Sequence, residues 1–253
     1  AAFPAIYSRL LSDHYLLAIA TVMALLLRGV APELREQRED PEWHRRCDQL
    51  FVFGSTVTPL LLGMLVGSWI FGTAVFSLPS LLTGVGLVAL CVTSGAAFVS
   101  AKTSGQLSAD MTLYGTLSTA AYLGGVVVLL GVVYWLNPSN VRALLLTLPA
   151  VAVVLASVVF GVGGVVAARQ GRHKLWFGAT VGLSFMLVGL VATLLYPTIY
   201  PATGLTIDAV VVSPLALNLT SVLGLPVLLL VLWYFKFLYS TFGGPIDGEG
   251  YSA

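Results

Sequence analysis

The sequence predicts an all-α fold, a polytopic membrane helix bundle. Three observations carry that expectation. Of 253 residues, 58% are hydrophobic and only 9% charged, with a mean hydropathy of +0.95. Soluble domains carry about 25% charged residues, so this chain could not cover the surface of a water-soluble globule. The apolar residues fall in long runs, most exceeding the ~20 residues that a helix needs to cross the hydrocarbon core and too long for barrel strands. Between the first two runs, six acids and four arginines crowd from Glu33 to Asp48. That stretch must lie in water, and it fixes the side on which the other loops fall.

In chain order, Ala1 to Leu11 is a partly apolar tail broken by Pro4. Ser12 or Asp13 can cap the following helix by accepting a first-turn N–H. The first span runs from about His14 to Val30, and a charged loop occupies 32–49. The second covers about Leu50 to Val75. Pro79 opens the third, to about Ser100. The polar AKTSGQLSAD separates it from the fourth, about Asp110 to Leu136. NPSN reads as a turn. The fifth span covers about Val141 to Ala168, and after RQGRHK the sixth covers about Leu175 to Tyr196. A loop at 197–213 leads to the seventh, about Pro214 to Tyr239, and a polar tail occupies 241–253. All seven are helices, because lipid offers no partner to an open backbone. The whole chain, 1–253, reads as one transmembrane domain.

Basic residues set the orientation. Arg28, Arg35, Arg38, Arg45, Arg46, Lys102, Arg169, Arg172, Lys174 and Lys236 fall on one side, and only Arg9 and Arg142 on the other. The crowded side is expected to be cytoplasmic, which puts 32–49 and 241–253 inside and 197–213 outside. Trp69, Tyr134, Trp135, Trp176, Tyr196, Tyr200, Trp233 and Tyr234 suit the two interfaces. Gly63 and Gly67, like Gly178 and Gly182, place small residues on one helix face and allow close backbone approach. Helix packing, a subunit contact, or a gas or lipid crevice are the readings for that pattern. Pro59, Pro149 and Pro226 fall inside predicted spans, where a missing N–H kinks a helix.

Little chemistry is visible. Between their ends the spans hold no Asp, Glu, Lys or His, which argues against a self-sufficient ion pump. Haem iron takes an axial His, Met, Cys or Tyr. His14, His44 and His173 fall at helix ends or in loops, and Met23, Met64, Met186 and Cys91 stand isolated. No residues have metal-ligand spacing. A net charge of +1 gives no reason to expect nucleic acid. Cys47 and Cys91 are expected to be free thiols, since no framework spacing is present. Arg28 is the one charge set against an apolar core, at a predicted cytoplasmic helix end. It can snorkel and cap that end, anchor an anionic group of a partner, or admit protons. Asp48 is expected to precede a helix start, where the dipole favours an acid. A secondary transporter or permease and a purely structural membrane subunit stay open on residues alone.

Two separated motifs add a resemblance. Leu25 to Arg35 ends an apolar helix on Arg28-Gly29-Val30, and Trp43, Asp48, Phe51, Gly54 and Ser55 follow in a fixed spacing. Downstream stand Leu195-Tyr196-Pro197, Leu205-Thr206-Ile207 and Ser213-Pro214. Together they resemble subunit II of cytochrome bd-type quinol oxidases, across essentially the whole chain. The outer loop departs from the family pattern at Asp208 and Ala209. Members have nine spans, so the resemblance implies that the first helix and most of the second precede Ala1, with Ala1 to Pro4 matching the end of the second. It implies a complex that oxidises quinol and reduces dioxygen to water. Haems b and d would belong to the partner, subunit I, and no cofactor would be bound directly by this chain. This subunit would then be a scaffold that contributes to oxygen or proton access and has room for a structural quinone. Arg28 and Asp48 become structural or proton-access candidates, and Gly63 and Gly67 helix-packing or oxygen-crevice candidates. The implied partners are subunit I and membrane lipid, with a small single-helix accessory subunit left open. The implied site is a prokaryotic plasma membrane.

Overall fold

Prolines, glycines and small polar residues punctuate the helices. The structure is a computed structural model that describes residues 3–138 and 141–241. Pro4 opens α1 (Pro4–Asp13) in its first turn, where the missing N–H costs nothing. Helix α2 (Tyr15–Arg35) follows at His14. Neither Ser12 nor Asp13 caps it: α1 continues through both, and the Asp13 carboxylate accepts a hydrogen bond from Tyr200 instead. Helix α3 (Pro41–Phe71) has Asp40 as its N-cap, accepting from the Glu42 N–H at 3.1 Å. It ends on Gly72, whose φ of 59° is left-handed. Ser77 caps α4 (Leu78–Lys102), with Pro79 in its first turn as predicted. Gly105 precedes α5 (Gln106–Leu136).

The helices therefore run further than their apolar cores. The loop expected at 32–49 shrinks to Glu36–Asp40, because Glu, Arg and Gln are good helix formers and nothing halts the helices at the edge of the apolar run. Pro32 is carried inside α2 near its end. At about 1.5 Å per residue, the 31 residues of α3 exceed a hydrocarbon core of about 30 Å. The charged ends of α2 and α3 form an antiparallel hairpin beyond it. The fifth predicted span is broken in two, α6 (Val141–Leu145) and α7 (Leu148–Arg169). Pro149 lies in the first turn of α7 rather than mid-span, since the residue before a proline resists helical geometry. Pro59 and Pro226 do lie inside their helices.

Helix α8 (His173–Leu194) leads to a two-stranded antiparallel ribbon, β1 (Thr198–Tyr200) and β2 (Leu205–Thr206). A short α9 (Ile207–Val210) and α10 (Pro214–Thr241) complete the described chain. The tail expected at 241–253 lies outside the described residues beyond Thr241. Among the described residues seven helices are long and apolar enough to cross a membrane, so this is an all-α multi-pass membrane protein.

Sequential helices pack as antiparallel neighbours, α2 on α3, α3 on α4, α4 on α5, and α7 on α8. Helix α8 also returns to α4, and α5 touches α7. Three buried clusters stack along this bundle. Ile70, Phe71, Val133, Val141, Leu194 and Leu195 close one end. Leu90, Tyr122 and Leu183 fill the middle, and Ala96, Ala97, Ala168 and Trp176 the other end. Trp176 is no interface anchor: it is fully buried. A Cβ on Gly115 would come within 2.5 Å of its ring, so a glycine makes the slot. Tyr200 is likewise buried, whereas Trp135 stays 86% exposed. None of the apolar window of α10 is buried. Cys47 and Cys91 are free.

Candidate functional site

Arg28 does not sit at a helix end. Helix α2 continues seven residues past it, to Arg35, or about 10 Å. It is held there by Gly54, the glycine of the downstream motif. A Cβ on Gly54 would lie 2.8 Å from both the Ala24 carbonyl oxygen and the Arg28 nitrogen. Only a residue without a side chain lets α3 lie this close to α2. The next residue, Ser55, has a buried hydroxyl with no hydrogen-bond partner among the described residues.

Arg28 and Ser55 line one cavity of about 760 Å³, together with Thr58, Cys91, Ser94 and Ser184. Ser55, Cys91 and Ser184 stand near the middles of α3, α4 and α8. Among the described residues Arg28 forms no salt bridge. The Thr58 and Ser184 hydroxyls already donate to the Gly54 and Thr180 carbonyls, so the arrangement is a cation and the unpartnered Ser55 hydroxyl in a largely apolar wall. It can bind an oxygen acceptor carried on an apolar body. The sequence shows Arg28 and Gly54-Ser55 but not that they meet.

Asp48 lies elsewhere. It is inside α3, two turns from the start, and pairs with Arg35 at 3.0 Å across the hairpin. Asp40 holds the cap position expected of Asp48. The hairpin is tied further by Trp43 Nε1, which donates to the Leu34 carbonyl at 2.7 Å. The Arg38 guanidinium lies 4.8 Å from the Trp43 ring centroid, a cation–π contact.

Gly63 and Gly67 pack α3 against α4. A Cβ on Gly63 would lie 2.7 Å from Gly84 Cα, and one on Gly67 2.9 Å from Ser80 Cα. Gly182 does the same against Phe160, while a Cβ on Gly178 would meet nothing within 4 Å. Gly178 thus packs on no other helix among the described residues, because the pattern gives spacing but not which face meets a neighbour. Beside Gly63 lies a second cavity of about 280 Å³ with an almost wholly apolar lining that includes Val66, Gly86, Gly125 and Leu187. Gly67 does not border it.

The histidines are committed to partners. His44 Nε2 lies 2.6 Å from the Arg38 carbonyl. His173 Nδ1 lies 2.9 Å from Ser100 Oγ, in a hydroxyl cluster with Ser108 and Thr112. His14 Nε2 lies 2.9 Å from Ser68 Oγ. At the same end as His14, burial first, and then the hydrogen bond to Asp13, pushes the Tyr200 phenol up to about 12. Tyr200 therefore stays a neutral donor across the physiological range. Sequence reading left His14, His173 and Tyr200 unconnected, since their partners lie far along the chain.

Comparison with known proteins follows the same direction. A family model described as cytochrome bd terminal oxidase subunit II matches residues 1–242. The cytochrome bd ubiquinol oxidase subunit 2 of Bacillus subtilis (strain 168) is 31% identical over 120 residues, covering 42% of this chain and 36% of the relative. The cytochrome bd-I ubiquinol oxidase subunit 2 of Escherichia coli (strain K12) is 28% identical over 124 residues, covering 42% of this chain and 33% of the relative. The chain thus aligns with about a third of the length of the curated relatives it matches.

Proposed function

Because the chain belongs to the cytochrome bd terminal oxidase subunit II family, we propose that it serves in a membrane-bound oxidase that couples quinol oxidation to the reduction of dioxygen to water. In this reading the haems b and d are held by a partner, subunit I, and catalysis takes place there. The observation that carries it is the family match along residues 1–242. The haems supply the oxygen and electron chemistry when bound to that partner. This chain's own residues provide packing, apolar space and a membrane-depth cation. The side bearing the charged α2–α3 hairpin faces the cytoplasm, the β1–β2 ribbon faces outside, and the membrane is a prokaryotic plasma membrane. Lipid and, where present, a small single-helix accessory subunit cover the remaining apolar faces. Neither the permease nor the purely structural reading gains an observation.

Two cavities divide the supporting roles. The one beside Arg28 suits a structural quinone. A quinone ring presents acceptor oxygens on an apolar body, and the Arg28 guanidinium and the unpartnered Ser55 hydroxyl are donors. The same cation is the proton-access candidate on the cytoplasmic half. The apolar cavity beside Gly63 suits dioxygen, which needs space and no polar partner.

Purification through a tag on this chain is expected to bring a haem-bearing subunit and its absorption bands. A chain isolated without haem that moves solute alone would refute the oxidase reading. The oxygen role has its own test. A Cβ on Gly86 or Gly125 meets nothing within 4 Å, yet both line the cavity. Gly86→Leu and Gly125→Leu therefore fill it without moving a helix. Each is expected to raise the apparent KM for dioxygen about threefold or more at unchanged haem content. An unaltered KM in fully assembled complex would remove the cavity from the oxygen route.

A further inference from the structure

Two cavities of opposite character adjoin at the end of the bundle that carries the β1–β2 ribbon. The apolar cavity of about 280 Å³ beside Gly63 is bounded at this end by Ile70, Phe71 and Leu194. The other, of about 360 Å³, is lined by Asp13, His14, Ser68, Thr73 and Tyr200. A carboxylate, an imidazole and hydroxyls offer water several polar partners, whereas an apolar cavity stays dry. The wall between the two is the last turn of α3. Ser68 and Gly72 line the polar side, and Ile70 and Phe71 the apolar side. Among the described residues Trp69 is the one that lines both.

Trp69 differs from its neighbours in how it is held. Ile70 and Phe71 are each 3% exposed and belong to the buried cluster that closes this end. Trp69 packs against that cluster but is only half-buried. Its indole is fixed by one polar contact, in which Nε1 donates to the Ile199 carbonyl oxygen at 2.9 Å. A bulge in β1 frees that carbonyl. Thr198 pairs with Thr206 and Tyr200 with Leu205, so Ile199 stands opposite no residue of β2, as the extra residue of a bulge does. Tyr200, the next residue, is tied to Asp13 on α1. The indole is latched to a ribbon that is itself anchored on α1.

We propose that Trp69 is a gate between the two cavities, latched by the Ile199 carbonyl, and that it decides what enters the apolar one. The indole has a single donor and no acceptor. With that donor spent on the ribbon, the gate offers no polar atom to lead water inward. When the latch opens and the side chain turns, a small uncharged apolar molecule, such as a dissolved gas, can pass. Water meets a lining with almost no polar atom, where an unmade hydrogen bond costs about 1–3 kcal/mol. The gate rests on the geometry of the two cavities and not on the oxygen role proposed for the apolar one. If dioxygen uses that cavity, Trp69 guards one of its entrances.

The test reads water rather than oxygen, so its outcome is separate from that role. Gly125→Cys places a thiol in the apolar cavity, at a position where a Cβ meets nothing within 4 Å. Ala202→Cys places one in the polar cavity. Each is made in the intact complex containing this chain, treated with the small cationic reagent methanethiosulfonate ethylammonium, and followed by mass spectrometry of the modified peptide. Only the thiolate reacts, and apolar surroundings suppress it. With Trp69 in place, the thiol at 125 is expected to react at least about tenfold slower than the one at 202. Trp69→Ala is expected to raise the rate at 125 about tenfold or more and to leave the rate at 202 unchanged. Trp69→Phe keeps a ring but loses the latch, and its rate is expected to fall between the two. Equal rates at 125 and 202 in the unsubstituted chain overturn the gate, as does a rate at 125 that Trp69→Ala leaves unchanged. A rise at both positions overturns it too, since that is a loosened bundle. Should Trp69→Ala not assemble, Trp69→Phe carries the test, and a rate at 125 equal to that of the unsubstituted chain strikes the latch.

Discussion

Gly63→Leu is expected to leave little assembled complex in the membrane. The first atom of the new side chain would sit 2.7 Å from Gly84 Cα and 2.9 Å from the Thr83 carbonyl oxygen. Both are backbone atoms, so no rotamer change relieves the contact. The approach is mutual: a Cβ on Gly84 would lie 2.6 Å from the Leu60 carbonyl oxygen. Helices α3 and α4 would have to separate along a seam that lipid cannot close, because apolar chains in lipid gain only packing from association. Helix α4 also holds α5 and α8, so the displacement spreads through the bundle. Overpacking costs about 1–3 kcal/mol in well-packed cores, and a clash with backbone belongs at or above the top of that range. Against a total stability of about 5–15 kcal/mol, the yield of complex, read from haem content per unit membrane, should fall about tenfold. Gly86→Leu is the matched control, with the same added volume in open space. Equal yields from the two would show that the seam is not where the structure puts it.

Arg28→Ala is expected to reduce assembled complex several-fold, and Asp48→Asn hardly at all. Asp48 pairs with Arg35 where the two side chains are 60% and 49% exposed. Such pairs contribute about 0.2–1 kcal/mol, and the asparagine keeps most of the geometry. Arg28 is a different case. A cation at the centre of a membrane helix costs about 2.5–3.5 kcal/mol to insert, reduced here by its distance of about 10 Å from the helix end. A chain sustains that cost when an anionic or acceptor group meets the guanidinium. Arg28 is exposed on this chain, so such a group is supplied in the assembly; once that pair is buried, removing one member leaves the other unmet, at about 3–5 kcal/mol. The measurement is the amount of both variants that co-purifies with haem. Equal amounts would count against the role of Arg28, and a more stable Arg28→Ala complex would sink it, since that is the result for a cation with no partner.

The helical ends and the interior differ in how far they could be read in advance. Seven spans were legible because span-forming is a local property: each run is long, apolar and nearly free of charge. The helix starts at Pro79 and Pro214 were legible for the same reason. The loop between the first two spans was not, since Glu36 to Asp40 differs from its helical flanks in hydrogen bonding rather than composition. Gly63 and Gly67 were legible as packing residues. Gly178 shows the same spacing and packs on no helix among the described residues.

By itself, then, the chain's order of residues determined that this is a multi-pass helical membrane protein, and its motifs pointed to an oxidase subunit. Tertiary structure alone decided that Gly54 and Ser55 meet Arg28, that His14 reaches Ser68 54 residues away, that Tyr200 reaches Asp13 187 residues away, and that Trp176 is buried. The physical reason is the near-uniform apolarity of the spans. A helix that is hydrophobic all round carries no stripe to say which face turns inward. The rotation and register of each helix are set by where glycines admit a neighbour and where the few polar groups find partners. Those are properties of pairs of helices.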